Sequence, residues 1–253
     1  LKESYPYLLL VLVLLPFTHF SNNFLDLNSS KEELGYFNLA DRLIGPVSLV
    51  LDIALISLFP NLSSLWAKNK QQFINLINNG FIYYMLISLI FCFLFTLFIE
   101  DIFILLFTTE YLPAVRVCQL QIWYLFLSSI DYFMGIILSS ANRDKTILRL
   151  GVVRAVMATP ILYYGSNFGA LGLSTAYVLS FTVFQIYLWY IFKKELSVKI
   201  KHENPIMLLS ISLFVVALFI GPHLLVGYKI LLAVVIVSFS AFYINKTYRT
   251  VLK

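Results

Sequence analysis

Charged residues are scarce in this chain, at 12% of its 253 residues, whereas hydrophobic residues make up 60%. An ordinary soluble domain has about 25% charged residues, so this composition excludes that class and predicts an integral membrane protein. A backbone inside a bilayer has to satisfy its own hydrogen bonds, and the alternating strands of a membrane β-barrel are absent from the sequence. We therefore predict an all-α fold.

Cysteine is also scarce, with only Cys92 and Cys118. Neither has a His or Cys neighbour at ligand spacing, so we predict small buried hydrophobic residues and no metal site or disulfide framework. The sequence lacks a Gly-rich phosphate loop, a Ser-His-Asp order, a catalytic pair of carboxylates and a His/Cys cluster. We therefore expect neither an enzyme activity nor a cofactor.

Eight segments are apolar and long enough to cross a hydrocarbon core of about 30 Å, which takes about 20 helical residues. These spans one to eight cover residues 5–27, 34–62, 76–98, 115–139, 146–164, 168–192, 205–220 and 228–244. Between spans three and four, residues 100–113 contain an apolar run that is too short to cross. We expect this segment to lie in the membrane interface or to dip back into the membrane.

Basic residues are concentrated on one side of the predicted membrane. If the spans alternate in direction, 13 of the 18 Lys and Arg residues lie on the side that holds both ends of the chain. The positive-inside rule then places both ends in the cytoplasm. The net charge of +5 is thereby explained by topology, and we expect no nucleic-acid partner.

Span two carries charged residues inside an apolar segment. A polar stripe with the spacing i, i+4, i+7 and i+11 shares one helix face, and Arg42 lies beside it. The stripe consists of Asp41, Gly45, Ser48 and Asp52. A charge at the bilayer centre costs on the order of 2.5–3.5 kcal/mol, so these groups are expected to face a polar cavity or one another. Arg42 could bind a phosphate, and the carboxylates could hold that arginine or bind a coupling cation.

Span one carries a comparable stripe at i, i+4 and i+7, formed by His19, Asn23 and Asp26. Because spans one and two run in opposite directions, the two stripes are expected at similar depth. Two interpretations follow. The stripes line a common substrate cavity, or they form internal pairs that only fasten the helices, such as Asp41 with His19 and Asp26 with Arg42.

A second pair of charges joins spans four and five. Asp131 and Arg154 each lie about 12 Å from the same end of adjacent antiparallel helices, by the rise of a helix per residue. Their matched depth predicts a direct ion pair, for which we favour a structural role.

Four groups of short motifs follow one another from span two to span six. They are LGYFNLADRL at 34–43 with LFPNLS at 58–63, LLF at 105–107 with Tyr111 and Ala114, ANRDK at 141–145, and GSNFGALGLSTA at 165–176. In order and spacing they resemble the landmarks of bacterial polysaccharide flippases. These belong to the multidrug/oligosaccharidyl-lipid/polysaccharide exporter superfamily.

The resemblance implies that this chain, which starts at Leu1, is the C-terminal part of a two-lobe transporter with twelve to fourteen helices in the bacterial inner membrane. Residues 1–192 would form the six-helix C-terminal lobe, residues 193–204 a basic cytoplasmic linker, and residues 205–253 an additional helix pair with a cytoplasmic tail. The missing N-terminal lobe would be a partner within the same protein.

The resemblance also implies a cargo, namely oligosaccharide units on polyprenyl pyrophosphate, flipped from the cytoplasmic to the outer leaflet for O-antigen or other surface polysaccharides. Other polysaccharide-assembly membrane proteins would be further partners. The first two helices of this lobe partly line the cavity in such proteins, so the candidate substrate-binding residues are Arg42, Asp41, Asp52, His19, Asn23 and Asp26.

Two alternatives remain open at this stage. The first is a drug or metabolite exporter of the same superfamily. The second is a membrane polysaccharide polymerase or ligase, which usually needs a larger outer loop than the one at 100–113.

Overall fold

The computed structural model describes residues 20–196, 200, 203–217, 224 and 226–251. Within these residues the chain is almost entirely helical and contains no strand, which confirms the predicted all-α fold. The helices are α1 (Phe20–Asn28), α2 (Lys31–Lys68), α3 (Lys70–Leu106), α4 (Pro113–Ser140), α5 (Asp144–Ser166), α6 (Gly169–Leu196), α7 (Glu203–Val215) and α8 (Val226–Val251). A short 3₁₀ turn, Thr109–Tyr111, connects α3 to α4.

Five helices, α2 to α6, are long and apolar enough to cross a membrane, and they indicate a multi-pass membrane protein. They correspond to the predicted spans two to six. Helix α8 contains a shorter apolar part, Val226–Ser238. Most of span one lies outside the described residues, and α7, with 13 residues, covers only residues 205–215 of span seven. The total of eight spans therefore stays a prediction.

Helices α2 and α3 are longer than the hydropathy of the sequence predicts. They contain 38 and 37 residues, so each is about 56 Å long at 1.5 Å per residue, which is well beyond a bilayer core of about 30 Å. Within the segment 100–113, α3 continues through Leu106 and a short turn leads into α4, and the place of this segment in the membrane interface stays a prediction. Hydropathy detects the apolar part of a helix, whereas backbone hydrogen bonds extend it into polar sequence.

The long helices form an antiparallel bundle with two ends. The Ser30 end contains the connections α1–α2, α3–α4 and α5–α6, and the Asn69 end contains the connections α2–α3 and α4–α5. At the Asn69 end, Asn69 caps α3 by accepting hydrogen bonds from two backbone amides. There Arg143 also lies 3.7 Å from Glu195 at the end of α6. Helix α4 is central and packs against α2, α3 and α6, whereas α5 packs mainly on α6.

The core consists of two apolar clusters that follow the bundle axis. One extends toward the Asn69 end and includes Phe73, Phe81 and Phe192, and the other lies toward the Ser30 end around Phe103. Both cysteines are buried in these clusters and neither forms a disulfide, which confirms the prediction that they act as small buried residues.

Helix α8 is fastened to α3 near the Ser30 end by an ion pair. Lys229 Nζ lies 2.6 Å from Asp101 Oδ2, and the lysine side chain is only 5% exposed. A buried ammonium needs such a partner, so this contact specifies where α8 packs. The same ion pair neutralises Asp101, which is one of the few acidic residues of the segment 100–113.

The start of α6 is capped by a side chain from α2. Glu33 Oε2 accepts a hydrogen bond of 2.6 Å from the backbone amide of Ala170. Gly169 precedes that amide with a φ of 73°, and a Cβ at this position would lie 2.7 Å from the same carboxylate oxygen. Glycine is therefore needed here both for its backbone conformation and for the close approach of Glu33.

We expect Gly169→Ala to lower the free energy of unfolding by about 2 kcal/mol, since it combines left-handed backbone strain with loss of the cap. Thermal unfolding of the purified full-length protein in detergent would show this as a lower midpoint. Gly227→Ala is the matched control, because a Cβ there has no atom within 4 Å. Equal midpoints for both variants would contradict the role of Gly169.

Candidate functional site

A polar cavity of about 640 Å³ lies between α1, α2, α4, α5 and α6. This volume is in the range of about 300–1,000 Å³ that is typical of ligand sites. Polar side chains from all five helices reach it. They are Ser21, Asn22, Asp41, Ser48, Asp52, Gln121, Tyr124, Ser128, Ser129, Asp131, Tyr132, Arg154 and Tyr177. Because four of the five helices are apolar enough to cross a membrane, this polar cavity is the candidate functional site.

Helix α2 presents its predicted polar stripe to the polar cavity. All four members line it, namely Asp41, Gly45, Ser48 and Asp52. The buried residues of α2 lie on the adjoining part of the helix surface, and three of them, Phe37, Ile44 and Leu51, also line the cavity. These apolar residues pack α2 against its neighbours beside the stripe, and the polar stripe itself faces the cavity.

Helix α1 meets the polar cavity through a different face from the one predicted. Ser21 and Asn22 line the cavity, whereas Asn23 and Asp26 are exposed and lie outside the lining. His19 lies outside the described residues. Successive residues of a helix are about 100° apart, so a displacement of one residue turns a side chain away from the cavity.

Arg42 is exposed and does not line the polar cavity, although its neighbour Asp41 does. In the part of the chain that the structure describes, no carboxylate lies within ion-pair distance of Arg42, so the alternative pair with Asp26 is not formed. Arg42 lies where the apolar part of α2 begins, on the side of the Ser30 end. A long arginine side chain at such a position can extend along the helix to polar surroundings.

The predicted ion pair between Asp131 and Arg154 is present, with Arg154 Nη1 donating to Asp131 Oδ2. The two side chains are only 17% and 18% exposed. The guanidinium carbon of Arg154 also lies 5.5 Å from the ring centroid of Phe181, which adds a cation–π contact. Both members line the polar cavity, so this pair is part of the candidate site as well as a link between helices.

Most of the charged side chains that line the polar cavity are acidic. Asp41, Asp52 and Asp131 are matched by one basic side chain in the described lining, Arg154. Because Asp131 neutralises Arg154, the other two carboxylates dominate the local charge. The site therefore favours hydrogen-bond donors and cations at its α2 side.

A second cavity, the apolar groove, has a volume of about 270 Å³. Helices α4, α5 and α6 form most of it, and it lies toward the Asn69 end. Its lining consists of Phe59, Asp131, Tyr132, Gly135, Ile136, Ser139, Ile147, Leu150, Gly151, Arg154, Phe184 and Leu188. The apolar groove and the polar cavity share three residues, which are Asp131, Tyr132 and Arg154.

Sequence analysis did not predict that one face of α4 lines the polar cavity, although the sequence contains a pattern that indicates it. Gln121, Leu125, Ser128 and Tyr132 repeat the spacing i, i+4, i+7 and i+11 of the α2 stripe, and all four line the polar cavity. Gln121 Nε2 also donates a hydrogen bond of 3.4 Å to the backbone oxygen of Phe37 on α2. Uncharged polar residues in an apolar span give a weaker signal than Asp or Arg. The predicted cavity lining was therefore based on the charged stripes of α1 and α2.

The tyrosine of α6 is the other contribution that sequence analysis missed. Tyr177 hydrogen-bonds Ser21 of α1 through its hydroxyl group, and its ring stacks on Phe37 of α2 with centroids 6.2 Å apart. This residue therefore connects three of the helices around the polar cavity. A single tyrosine inside an apolar span gives no sequence signal for such a role.

The resemblance to flippases stays a prediction. No protein-family model matches the chain, and neither the comparison with curated proteins nor the comparison with solved structures finds a match.

Proposed function

We propose that this protein is a membrane transporter that flips polyprenyl-pyrophosphate-linked oligosaccharides from the cytoplasmic to the outer leaflet by alternating access. The observation that carries the proposal is the polar cavity between helices that are apolar enough to span a bilayer. Ionisable side chains inside spanning helices are costly and commonly mark a substrate path. The sequence motifs that resemble polysaccharide flippases narrow the cargo to a lipid-linked oligosaccharide.

The chemistry of the polar cavity suits a sugar. Sugar hydroxyls donate and accept hydrogen bonds, and the lining offers carboxylates, hydroxyls and amides for both roles. Asp41 and Asp52 are the candidate acceptors for sugar hydroxyls, and Tyr124 also lines the cavity. Arg42 lies outside this cavity, so any contact between Arg42 and the pyrophosphate would form elsewhere on the α2 surface.

The proposed orientation follows the distribution of basic residues. The connections at the Asn69 end and the end of α6 carry Lys68, Lys70, Arg143, Lys145, Lys193 and Lys194, whereas the Ser30 end carries Lys31, Arg116 and Lys229. Under the positive-inside rule the Asn69 end faces the cytoplasm of a bacterial inner membrane. A second lobe, encoded upstream, would cover the open side of the polar cavity and complete the transport path.

The proposal predicts a loss of surface polysaccharide when the gene is deleted from its host. Lipid-linked oligosaccharide should then accumulate, because its synthesis continues while flipping stops. Complementation with the full-length protein carrying Asp52→Asn should restore about tenfold less polysaccharide than the wild type, a loss of about 1.4 kcal/mol in transition-state binding. Glycan staining and extraction of lipid-linked intermediates measure both effects.

The matched control is Asp26→Asn, since Asp26 is an exposed aspartate outside the polar cavity. This variant should restore the polysaccharide to the wild-type level. Membrane abundance of each variant is measured by immunoblotting. Unchanged polysaccharide in the deletion strain would contradict the proposed function.

A second candidate function is the export of cationic drugs or metabolites. The excess of carboxylates in the polar cavity favours it, because Asp41 and Asp52 have no cationic partner among the described ion pairs. Under this alternative, the deletion strain would keep its polysaccharide and become sensitive to cationic dyes. The same strain therefore separates the two functions.

A further inference from the structure

Two polar stripes line the polar cavity side by side, one on α2 and one on α4. The α2 stripe begins at Asp41 and ends at Asp52, and the α4 stripe begins at Gln121 and ends at Tyr132. The first and last residues of each stripe are eleven positions apart, which is about 16 Å at 1.5 Å per residue. Both helices begin at the Ser30 end, so the stripes run in the same direction and the polar cavity is elongated along the bundle axis.

Contacts near both ends of the stripes hold them at matching depth. Toward the Ser30 end, Gln121 Nε2 donates a hydrogen bond to the backbone oxygen of Phe37, one helical turn before Asp41. Further along, the side chains of Asp52 and Tyr132 are close enough to interact electrostatically. The α2 side of the polar cavity therefore carries two carboxylates about 16 Å apart, with serine hydroxyl groups between them.

The two carboxylates of the α2 stripe have no cationic partner. Among the side chains that the structure describes, no basic group lies within ion-pair distance of Asp41 or Asp52. Arg154, the one arginine of the described lining, is already bonded to Asp131 and lies over the ring of Phe181. An anionic ligand would therefore meet uncompensated negative charge on α2, whereas an ammonium group would be attracted to it.

We propose that the polar cavity binds a linear oligosaccharide that carries free amino groups, and that Asp41 and Asp52 each bind one of its ammonium groups. This assignment rests on the proposed function and adds the chemical class of the sugars to it. The amino sugars that enter the polar cavity are then not N-acetylated. Uronic acids are excluded from the same part of the cargo.

The chemistry of an ammonium group matches the groups that the α2 stripe offers. Its three N–H groups donate hydrogen bonds, and carboxylate and serine oxygens accept them. An ammonium beside a carboxylate stabilises the charged form of both groups, so the ion pair can form inside an apolar bundle. A hydrogen bond between two charged groups is also stronger than one from a neutral sugar hydroxyl. An amino sugar therefore balances charge that a neutral sugar would leave uncompensated.

Binding of matched tetrasaccharides to the purified full-length protein in nanodiscs of zwitterionic lipid tests the proposal. The probes are glucosamine tetrasaccharide, its N-acetylated form, which lacks the positive charges, and galacturonic acid tetrasaccharide, which is anionic. Isothermal titration calorimetry is run at a pH at which the amines are protonated. We expect the glucosamine form to bind at least about tenfold more tightly than the N-acetylated form, and the anionic form to bind more weakly than both. Equal affinity for the first two probes would overturn the proposal.

Asp41→Asn and Asp52→Asn test the two carboxylates one at a time. Each substitution keeps the size of the side chain and removes its charge. Each should weaken binding of glucosamine tetrasaccharide by about fivefold and leave binding of the N-acetylated form almost unchanged. The matched control is Asp26→Asn, since Asp26 is an exposed aspartate outside the polar cavity. A preference for glucosamine that stays at the level of this control in both variants would overturn the role of the carboxylates.

Tetramethylammonium distinguishes an amino sugar from cations in general. It carries the same charge but has no N–H group to donate, so it should compete for the site at least about tenfold more weakly than glucosamine does. Equal competition would show that any small cation suits the polar cavity, and it would overturn the assignment to an amino sugar.

The cargo itself provides a second test. Lipid-linked oligosaccharide that accumulates in the deletion strain should gain acetyl groups on its amines when it is treated with acetic anhydride under conditions that spare hydroxyl groups, and mass spectrometry measures this gain. An accumulated oligosaccharide without free amines would overturn the proposal.

Failure of this site is distinguishable from failure of the proposed function, because the binding assay uses the purified protein and polysaccharide export uses the deletion strain. Loss of polysaccharide in the deletion strain without a preference for glucosamine would keep the flippase and reject the amine site. Normal polysaccharide together with the preference for glucosamine would reject the flippase and keep the amine site.

Discussion

Gly172→Leu is expected to lower the free energy of unfolding by about 3 kcal/mol or more, since it forces atoms into a contact where the backbones of α5 and α6 approach closely. A Cβ on Gly172 would overlap the backbone oxygen of Gly165 and the Cβ of Phe168. The reverse contact is equally close, because a Cβ on Gly165 would overlap Ala176 and lie 2.9 Å from the backbone oxygen of Gly172. The α5–α6 hairpin is therefore held in backbone contact by two glycines.

This contact matters for the candidate site as well as for stability. Helix α5 supplies Arg154 to the polar cavity, and α6 supplies Tyr177 and Phe181. If α5 and α6 separate, the guanidinium of Arg154 moves away from the Phe181 ring, and both cavities change shape. Small residues allow such close approach of helices inside membranes, where packing and not hydrophobic burial drives association.

Thermal unfolding of the purified full-length protein in detergent measures this effect, with size-exclusion chromatography as a check on folding. Gly172→Ala should show a smaller decrease in the same direction, because its single methyl group meets the same backbone atoms. Gly35→Leu is the control, since a Cβ on Gly35 has no atom within 4 Å. A midpoint for Gly172→Leu equal to that of the control would show that the hairpin can open at no cost.

Arg154→Leu is expected to lower the free energy of unfolding by about 3 kcal/mol, because it leaves Asp131 as a buried carboxylate without its cation. Both side chains are less than one fifth exposed, so water screens the remaining charge only in part. The loss should exceed the loss for Asp52→Leu, because Asp52 has no ion-pair partner among the described residues.

The double variant Asp131→Leu with Arg154→Leu is expected to regain most of this stability. Replacing both members of a buried pair by apolar residues is often neutral, since the cost of desolvating two charges disappears together with their attraction. A double-mutant cycle in detergent measures the coupling between the two positions. If the stability losses of the two single variants simply add up in the double variant, the interaction between Asp131 and Arg154 does not contribute to stability.

Several features of the fold could be predicted from the sequence because they depend on neighbours along the chain. The apolar spans at 34–62 and 76–98 identified α2 and α3, since a backbone in an apolar segment has no stable alternative to a helix. Their true ends could not be predicted. Hydropathy changes where the membrane ends, but α3 continues to Leu106 because its backbone hydrogen bonds do not require apolar side chains.

The candidate site was predictable in part for the same reason. The stripe from Asp41 to Asp52 follows the helical period, so its members share one face wherever α2 packs. The depth of Asp131 and Arg154 could likewise be counted from the turn that joins their helices, and the structure contains their ion pair.

Tertiary structure alone decided which helix faces meet one another. The rotation of α1 places Ser21 and Asn22 in the polar cavity and turns Asn23 and Asp26 away from it. The physical reason is that a sequence period defines the faces of a helix relative to one another, whereas the face that points inward depends on how side chains of neighbouring helices fit together. The sequence by itself determined an all-helical chain with a polar face on α2, and packing around α4 determined that this face opens into a cavity shared by five helices.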